Sequence, residues 1–335
     1  MERILGRSGI GSSAVGMGCW AIGGVWTFQG EAAGWGQIDD AESIRAIHTA
    51  LDMGVTLFDT AANYGCGHSE RVLGQAVGHR RDQVVIATKF GYEVNEVAKD
   101  VHPYDGDEEY GQIAGRIKAD CEASLRRLDT DYIDIYQLHV WGYSIEKSRQ
   151  VRTVLEELVT EGKIRSYGWS TDRVGAVRDF SEGAHCSFVQ QQLNIFDGNM
   201  ELLRLCRELN LASLNRGPLG MGILTGKFSS QTEFAADDVR SRASEWFPGL
   251  SGKGVNIDWL IKLENLREIL TSNGRTLAQG ALAWIWAASP MTVPIPGFKT
   301  IDQVKENAGA MAFGPLTGDQ MEMVNAILER NSMQD

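Results

Sequence analysis

The sequence predicts an α/β protein built as a (β/α)8 TIM barrel with long loops at the C-terminal face of its strands. Three observations lead there. Short apolar runs, which read as buried parallel strands, alternate along the chain with longer amphipathic runs, which read as helices. About eight such units in roughly 300 residues fit a closed barrel better than an open doubly wound sheet. The glycine-rich GxGxxG turn of a dinucleotide-binding doubly wound domain is absent: SGIGSSAVGMG carries glycines, but no acidic residue follows at the usual distance. Barrels of this class run past about 250 residues as one unit, so residues 1–335 read as a single domain.

The elements follow in order. A run near residues 14–18 is the first strand. Residues 55–59 (VTLFD) follow the helix-like AESIRAIHTALDMG, and residues 84–89 (VVIATK) follow SERVLGQAV. Residues 133–138 (IDIYQL) follow RIKADCEASLRRL, and residues 164–169 (IRSYGW) follow VRTVLEELVTEG. Residues 188–193, 211–215 and 291–295 continue the series. A last helical run, residues 319–330, is expected on the barrel's outside or at one end. Two loops are long. Residues 91–110 are acidic, with Glu93, Glu96, Asp100, Asp105, Asp107, Glu108 and Glu109; residues 229–256 are polar around Trp246 and Phe247. Long loops in a compact barrel are usually functional lids, the plainer alternative being a solvated insertion.

Composition narrows the partners. A formal net charge of -12 argues against nucleic acid, whose binding needs Lys and Arg in excess, and leaves room for a small anion in a local basic pocket. Cys19, Cys66, Cys121, Cys186 and Cys206 are odd in number and form no CxxC pair, so reduced thiols in a cytoplasmic protein are expected, without a disulfide framework or zinc site. Cys66 and His68 lie two apart with no further ligand pair nearby, so no metal is expected. MERILGRSGI lacks the apolar core of a secretory signal, and no run reaches about 18 apolar residues, so no membrane segment is expected.

Barrel enzymes place their chemistry where strands end. The second strand ends in Asp59, the third in Lys89, and the fourth runs into His139; Tyr64 lies five residues past Asp59. Singly, Asp59 could cap a helix near Ser69, Tyr64 could anchor a loop, Lys89 could reach solvent, and His139 could be a satisfied core histidine. Together they bring a carboxylate, an ammonium, a phenol and an imidazole to one face. That set suits carbonyl reduction. A phenol donates its proton poorly near neutral pH unless its anion is stabilised; an ammonium lowers that cost, and a carboxylate holds the ammonium charged. A neutral imidazole can hydrogen-bond and orient the carbonyl. Trp20, Trp26 and Trp141 follow strand ends and are expected to line a substrate pocket, core packing being the alternative.

FDTAANYGCGHSERVLGQAV resembles the signature segment of the aldo-keto reductases. ATKF, YQLHVW, YGWST, FVQQQLN, GPLGMGILTGK and IPGFKTIDQVKEN follow in that family's order and spacing, from about Gly6 to Asn307. The similarity is to the bacterial branch, near the potassium-channel β-subunit-like members. The resemblance implies that Asp59, Tyr64, Lys89 and His139 form the catalytic tetrad, and that Ser170 and Gln190 hold the nicotinamide carboxamide. Arg216 stands where many members stack a tyrosine on the nicotinamide. Leu219, Gly220 and Gly222 match the loop that wraps the pyrophosphate, with Lys227 and Gly297 among the other cofactor positions. Lys299, Thr300, Gln303, Glu306 and Asn307 match the adenosine-phosphate end. Lys299 with amides at the following helix start would suit a 2′-phosphate and favour NADPH; Thr300 could also cap that helix, and both can be true. Leu193, Thr171 and Gln303 depart from the Tyr, Asn and Arg of other members. The implied activity is reversible reduction of aldehydes or ketones to alcohols with NADPH. The alternative is a cofactor-sensing regulatory subunit with the same fold.

Overall fold

The structure, a computed structural model, describes residues 1–104, 109–242, 245–252 and 254–329. Eight strands run β1 Gly16–Gly18, β2 Leu57–Asp59, β3 Val85–Phe90, β4 Ile133–Leu138, β5 Ile164–Ser170, β6 Cys186–Asn194, β7 Ala212–Arg216 and β8 Thr292–Pro294. Each pairs in parallel with the next. The ring closes where Gly18 bridges Gly297 and its N–H donates to the Pro296 carbonyl at 2.9 Å. The central strands are buried throughout, as parallel strands covered on both faces must be.

Helices α1 Asp40–Asp52, α2 His68–Val77, α3 Tyr110–Leu128, α4 Ile145–Thr160, α5 Val174–Phe180 and α6 Met200–Glu208 follow the first six strands in turn. Helix α4 shows why. Ser144 accepts from Lys147 N at its start, and Val151, Val154, Leu155 and Leu158 form one buried stripe at helical spacing. Helices α7 Ile257–Leu270 and α8 Leu277–Ala288 lie between β7 and β8, and α9 Ile301–Gly309 follows β8. Helix α10, Gly318–Ile327, packs outside against α7 and α8; Arg330, in the run expected to be helical, lies outside the described residues. The strand expectations hold to within a few residues, and β4 falls where it was expected. Helix α2 is capped at Gly67, so Asp59 has no capping role there.

The seam of the barrel depends on a missing side chain. A Cβ on Gly18 would lie 2.8 Å from the Ile295 carbonyl oxygen, inside the closure itself. Gly18→Ala is therefore expected to destabilise the fold by about 1–3 kcal/mol, the usual cost of forcing atoms into a packed site. An unchanged denaturant midpoint would show that the seam opens freely.

Two features were not expected. Glu2–Ile4 and Gly11–Ser13 form an antiparallel hairpin across the barrel's lower end. From it, Leu5 and Ile10 join Leu57, Val85, Ala87, Ile135, Phe188 and Leu214 in the barrel interior. Arg7 fastens it by donating to the carbonyls of Cys186 (2.7 Å), Ser181 (2.5 Å) and Gly183 (2.9 Å). At the upper end, the loop after β1 supplies Thr27–Phe28 and Glu31–Ala32, and the loop after β3 supplies Tyr92–Asn95 and Asp100–Pro103. These four pieces form one small sheet. Thus the loop spanning residues 91–110 is folded; its Asp105, Asp107 and Glu108 lie outside the described residues. In the loop spanning residues 229–256, of which 243, 244 and 253 lie outside the described residues, Phe247, Leu250 and Val255 pack with Ile223 and with Trp259 of α7.

Candidate active site

The C-terminal ends of the strands open into a cavity of about 1750 Å³. That exceeds the few hundred to about a thousand Å³ of a drug-sized site and is roomy enough for a dinucleotide beside a second molecule. Asp59, Tyr64 and His139 line one end, Trp20, Trp26 and Trp141 stand around them, and Lys299, Gln303, Glu306 and Asn307 line the other end. Both long loops contribute, through Tyr92 and through Arg240, Trp246 and Phe247.

Lys89 is fully buried under this floor. Its Nζ donates to Asp59 Oδ2 at 2.7 Å, to the Thr60 carbonyl at 2.7 Å and to Tyr64 Oη at 3.3 Å. The placement follows from chain direction: β2 and β3 are parallel neighbours, so the carboxylate and the ammonium leave adjacent strands at the same level. An ammonium out of water must be paired, and three oxygens saturate it. Burial alone would loosen its proton, but Asp59 and Tyr64 outweigh burial and hold it more tightly than in a free lysine. Burial raises the Asp59 carboxyl, against the pull of Lys89 and Gln190.

Lys89 lowers the cost of a Tyr64 phenolate, as expected, but it does not act alone. Burial raises its pKa, and the lowering by Lys89 offsets this only in part. The phenol therefore stays protonated through neutral pH. His139 goes the other way: burial first, then Lys89 and Arg216, push the imidazole well below its ordinary value and leave it neutral. Its Nδ1 lies 3.0 Å from Asn63 Oδ1. Trp20 lies nearly parallel to Tyr64 at 5.9 Å.

Gln190 Nε2 donates to Asp59 Oδ1 at 2.7 Å, so this amide braces the carboxylate and has its oxygen left for a ligand. Arg216 is ion-paired with Asp172 and donates to Gln192 Oε1 at 3.1 Å. Trp141 Nε1 also donates to Asp172, at 3.2 Å. Ser170, Leu219, Gly222, Lys227 and Gly297 all line the cavity. Gly222 has φ 98°, a backbone that favours glycine. Gly220 and Thr300 do not line it. Gly220 lies against Trp259, where a Cβ would come within 3.1 Å.

The helix start after β8 has its cap, and the cap takes amides expected for an anion. Thr300 Oγ1 and Gln303 form a capping box, in which Gln303 Oε1 takes the N–H of Lys299 at 2.7 Å and of Thr300 at 3.4 Å. Glu42 takes the N–H of Ile301. The anion-binding potential rests on side chains instead. Lys299 donates to the Trp35 carbonyl, Arg240 lies over the Trp35 ring at 4.9 Å, and Lys227 lines the same end. Burial, then Arg240, lowers the pKa of Lys227; burial also lowers that of Lys299. Asn63, Asp172 and Arg240 were missed by sequence reasoning. The first two adjoin Tyr64 and Thr171 and were open to notice; Arg240 sits in a three-residue 3-10 turn, Val239–Ser241, too short to leave a period in the sequence. Cys66 is buried, and His68 is paired with Asp40 at 2.8 Å. Among the described residues, no three His, Cys, Asp or Glu side chains gather as a metal site.

Ionisable groups gathered above a closed parallel barrel place this molecule among α/β-barrel proteins whose chemistry sits at the strand ends. The chain belongs to the aldo/keto reductase family, whose family model matches residues 14–329. It is 31% identical over 335 residues to the aldo-keto reductase YhdN of Bacillus subtilis (strain 168), covering 98% of this chain and 93% of that one. It is 32% identical over 319 residues to an NADH-specific methylglyoxal reductase of Escherichia coli (strain K12), covering 93% and 94%. Among solved structures, an aldo/keto reductase from Klebsiella pneumoniae in complex with NADP and acetate is similar, with a TM-score of 0.70 and 25% identity over 100% of this chain and 97% of that one.

Proposed function

We propose that this protein reduces the carbonyl of small aldehydes or ketones with NADPH, reversibly, and that Tyr64 delivers the proton. The observation that carries the reading is the buried Asp59–Lys89–Tyr64 chain, which ends in a protonated phenol on the cavity floor beside a neutral His139. A reduced nicotinamide would supply a hydride, one proton with two electrons, to the carbonyl carbon. Tyr64 gives its proton to the carbonyl oxygen, and Lys89 steadies the phenolate left behind. Asp59 and Gln190 keep the ammonium charged and in place. His139 orients the oxygen by a hydrogen bond.

The cavity suits a dinucleotide. Ser170 and the Gln190 oxygen would hold the carboxamide, beside the Arg216 guanidinium. Leu219, Gly222 and Gly297 would meet the pyrophosphate, and Lys227, Lys299 and Arg240 the adenosine phosphate, with Glu306 and Asn307 at the adenine. Lys227 and Lys299 lie part-buried at one cavity end, beside an Arg240 that is paired with Asp238; a bound phosphate would give the two ammonium groups a charged partner, and this favours NADPH. One relative's name specifies NADH, so the preference is a point to test. Five free buried thiols fit a reducing compartment, and the proposal extends to the cytoplasm.

A panel of aldehydes and ketones, with NADPH consumption followed, tests the activity; no turnover with any of them would overturn it. Lys299→Met is expected to weaken NADPH binding by about tenfold to a hundredfold, a charged hydrogen bond's share. It should hardly change NADH binding. Equal losses for both cofactors would show that Lys299 supports the loop and does not read the phosphate.

A further inference from the structure

Arg216 brings a positive charge to the catalytic end of the cavity. Leu214 lies in the barrel interior, and alternate residues of a strand share a face, so Arg216 enters one level above it at the end of β7. Its register partner on β6 is Gln192, the next inward residue after Gln190, which braces Asp59. The guanidinium lines the cavity, with the side chain 33% exposed, and donates to Gln192 Oε1 at 3.1 Å.

Its counter-ion points elsewhere. Asp172, just past β5, pairs with Arg216 while also accepting the Gln192 backbone N–H at 2.7 Å and the Trp141 indole N–H at 3.2 Å. Burial first, and then Asp172, raise the Asp197 carboxyl at the cavity wall. On the floor, burial and Lys89 dominate at Tyr64 and His139, and Arg216 adds its positive charge at both, where Asp172 is not felt. The pair therefore turns its positive end to the floor and its negative end to the wall.

We propose that Arg216 sorts the two oxidation states of the nicotinamide cofactor, holding the reduced form more tightly than the oxidised form. The proposal rests on the reading of the site as a nicotinamide-dependent reductase. A hydride donor must come within about 3–3.5 Å of the carbonyl carbon, and Tyr64 meets that carbonyl's oxygen, so the reacting ring belongs to this end of the cavity. The reduced ring is neutral, and the oxidised ring carries one positive charge. Only that charge differs between the states, so the charges facing the ring decide the preference. Lys89 is cancelled by Asp59, and Asp172 and Asp197 stand toward the wall, which leaves Arg216. A guanidinium is drawn to a neutral electron-rich ring and repelled by a cationic one. At an effective dielectric of about 20, repulsion over several ångströms changes an affinity by roughly tenfold to a hundredfold, and Asp172 takes back part of it. The overall reaction equilibrium is untouched. Bound NADPH becomes the weaker reductant, by about 30 mV for each tenfold in the ratio of affinities, and oxidised cofactor leaves the site sooner after carbonyl reduction.

Equilibrium titration of the protein with NADPH and with NADP+, followed by tryptophan fluorescence, tests this without substrate or turnover. Wild type should favour NADPH. In Arg216→Met the ratio of the two affinities should move about tenfold toward NADP+, and Arg216→Lys should keep most of the wild-type ratio. Asp172→Asn, which removes the counter-charge, should enlarge the preference for NADPH. Should Arg216→Met not fold, Arg216→Gln decides in its place. Equal affinities in wild type, or one ratio shared by wild type and Arg216→Met, would overturn the proposal; the second is what a mere staple between strand-end loops would give, since it weakens both forms alike. A wild type that shows the preference and reduces no carbonyl would sink the reductase reading alone.

Discussion

Tyr64→Phe is expected to lower kcat for carbonyl reduction by about a hundredfold to ten-thousandfold, the range a positioned general acid supplies. Cofactor binding should stay near wild type, because the lost hydroxyl would meet only the substrate oxygen and Lys89. The ring itself would remain, keeping its contact with Trp20. The pH dependence carries a second, independent mark. In the proposed mechanism the donor is the protonated phenol, and its pKa in the folded protein is raised by burial. Wild-type reduction should therefore be level through neutral pH and fall only above the ordinary phenol range, as that proton is lost. A Phe variant that keeps most of its kcat, or a wild-type rate that falls through neutrality from phenol ionisation, would remove Tyr64 from the role.

Lys89→Met should cost as much activity as Tyr64→Phe, and the double variant should add little. Groups that act as one unit are strongly non-additive. In the proposed mechanism Lys89 acts only through the phenolate, so it would have nothing to contribute once the hydroxyl is gone. Stability provides the contrast. Lys89 and Asp59 are both buried, and removing one partner of such a pair strands the other, at about 3–5 kcal/mol. Adding Asp59→Asn to Lys89→Met should return much of that stability and none of the activity. Fully additive kinetic losses would show that Lys89 works elsewhere; activity recovered along with stability would make the pair a structural element only.

Much of the barrel was legible because buried parallel strands leave continuous apolar runs; IDIYQL reads as β4 almost unaided. The four groups at the strand ends were legible for a related reason, since strand direction alone puts Asp59 and Lys89 at one rim. The N-terminal hairpin was not, because three residues of ERI carry no period that separates a strand from a loop. The small upper sheet was hidden likewise, in pieces of two to four residues joined across loops far apart in sequence. Contacts at long range were beyond pattern reading altogether: Gln190 braces Asp59 across 131 positions. The capping box is a different case. Thr300 and Gln303 stand at the spacing that satisfies helix amides, so the occupied helix start was written in TIDQ. The direction of the Tyr64 shift needed a depth of burial that no local pattern reports.

The hairpin at the base has a consequence for how the chain is made. Leu5 and Ile10 pack with Leu214 and Ile295, Arg7 grips carbonyls from 181 to 186, and the seam joins Gly18 to residues 296 and 297. On the ribosome β1 can meet β2 early, but the other edge of β1, at Gly18, has no partner until nearly three hundred residues have followed. At about 5–20 residues per second, that is a wait of roughly 15–60 seconds. An incomplete barrel meanwhile exposes the interior faces of its early strands and an unpaired edge at β1, the kind of surface that chaperones cover. Slow appearance of native protein after translation ends, and a strong dependence of soluble yield on chaperone supply, follow from where the first few residues come to rest.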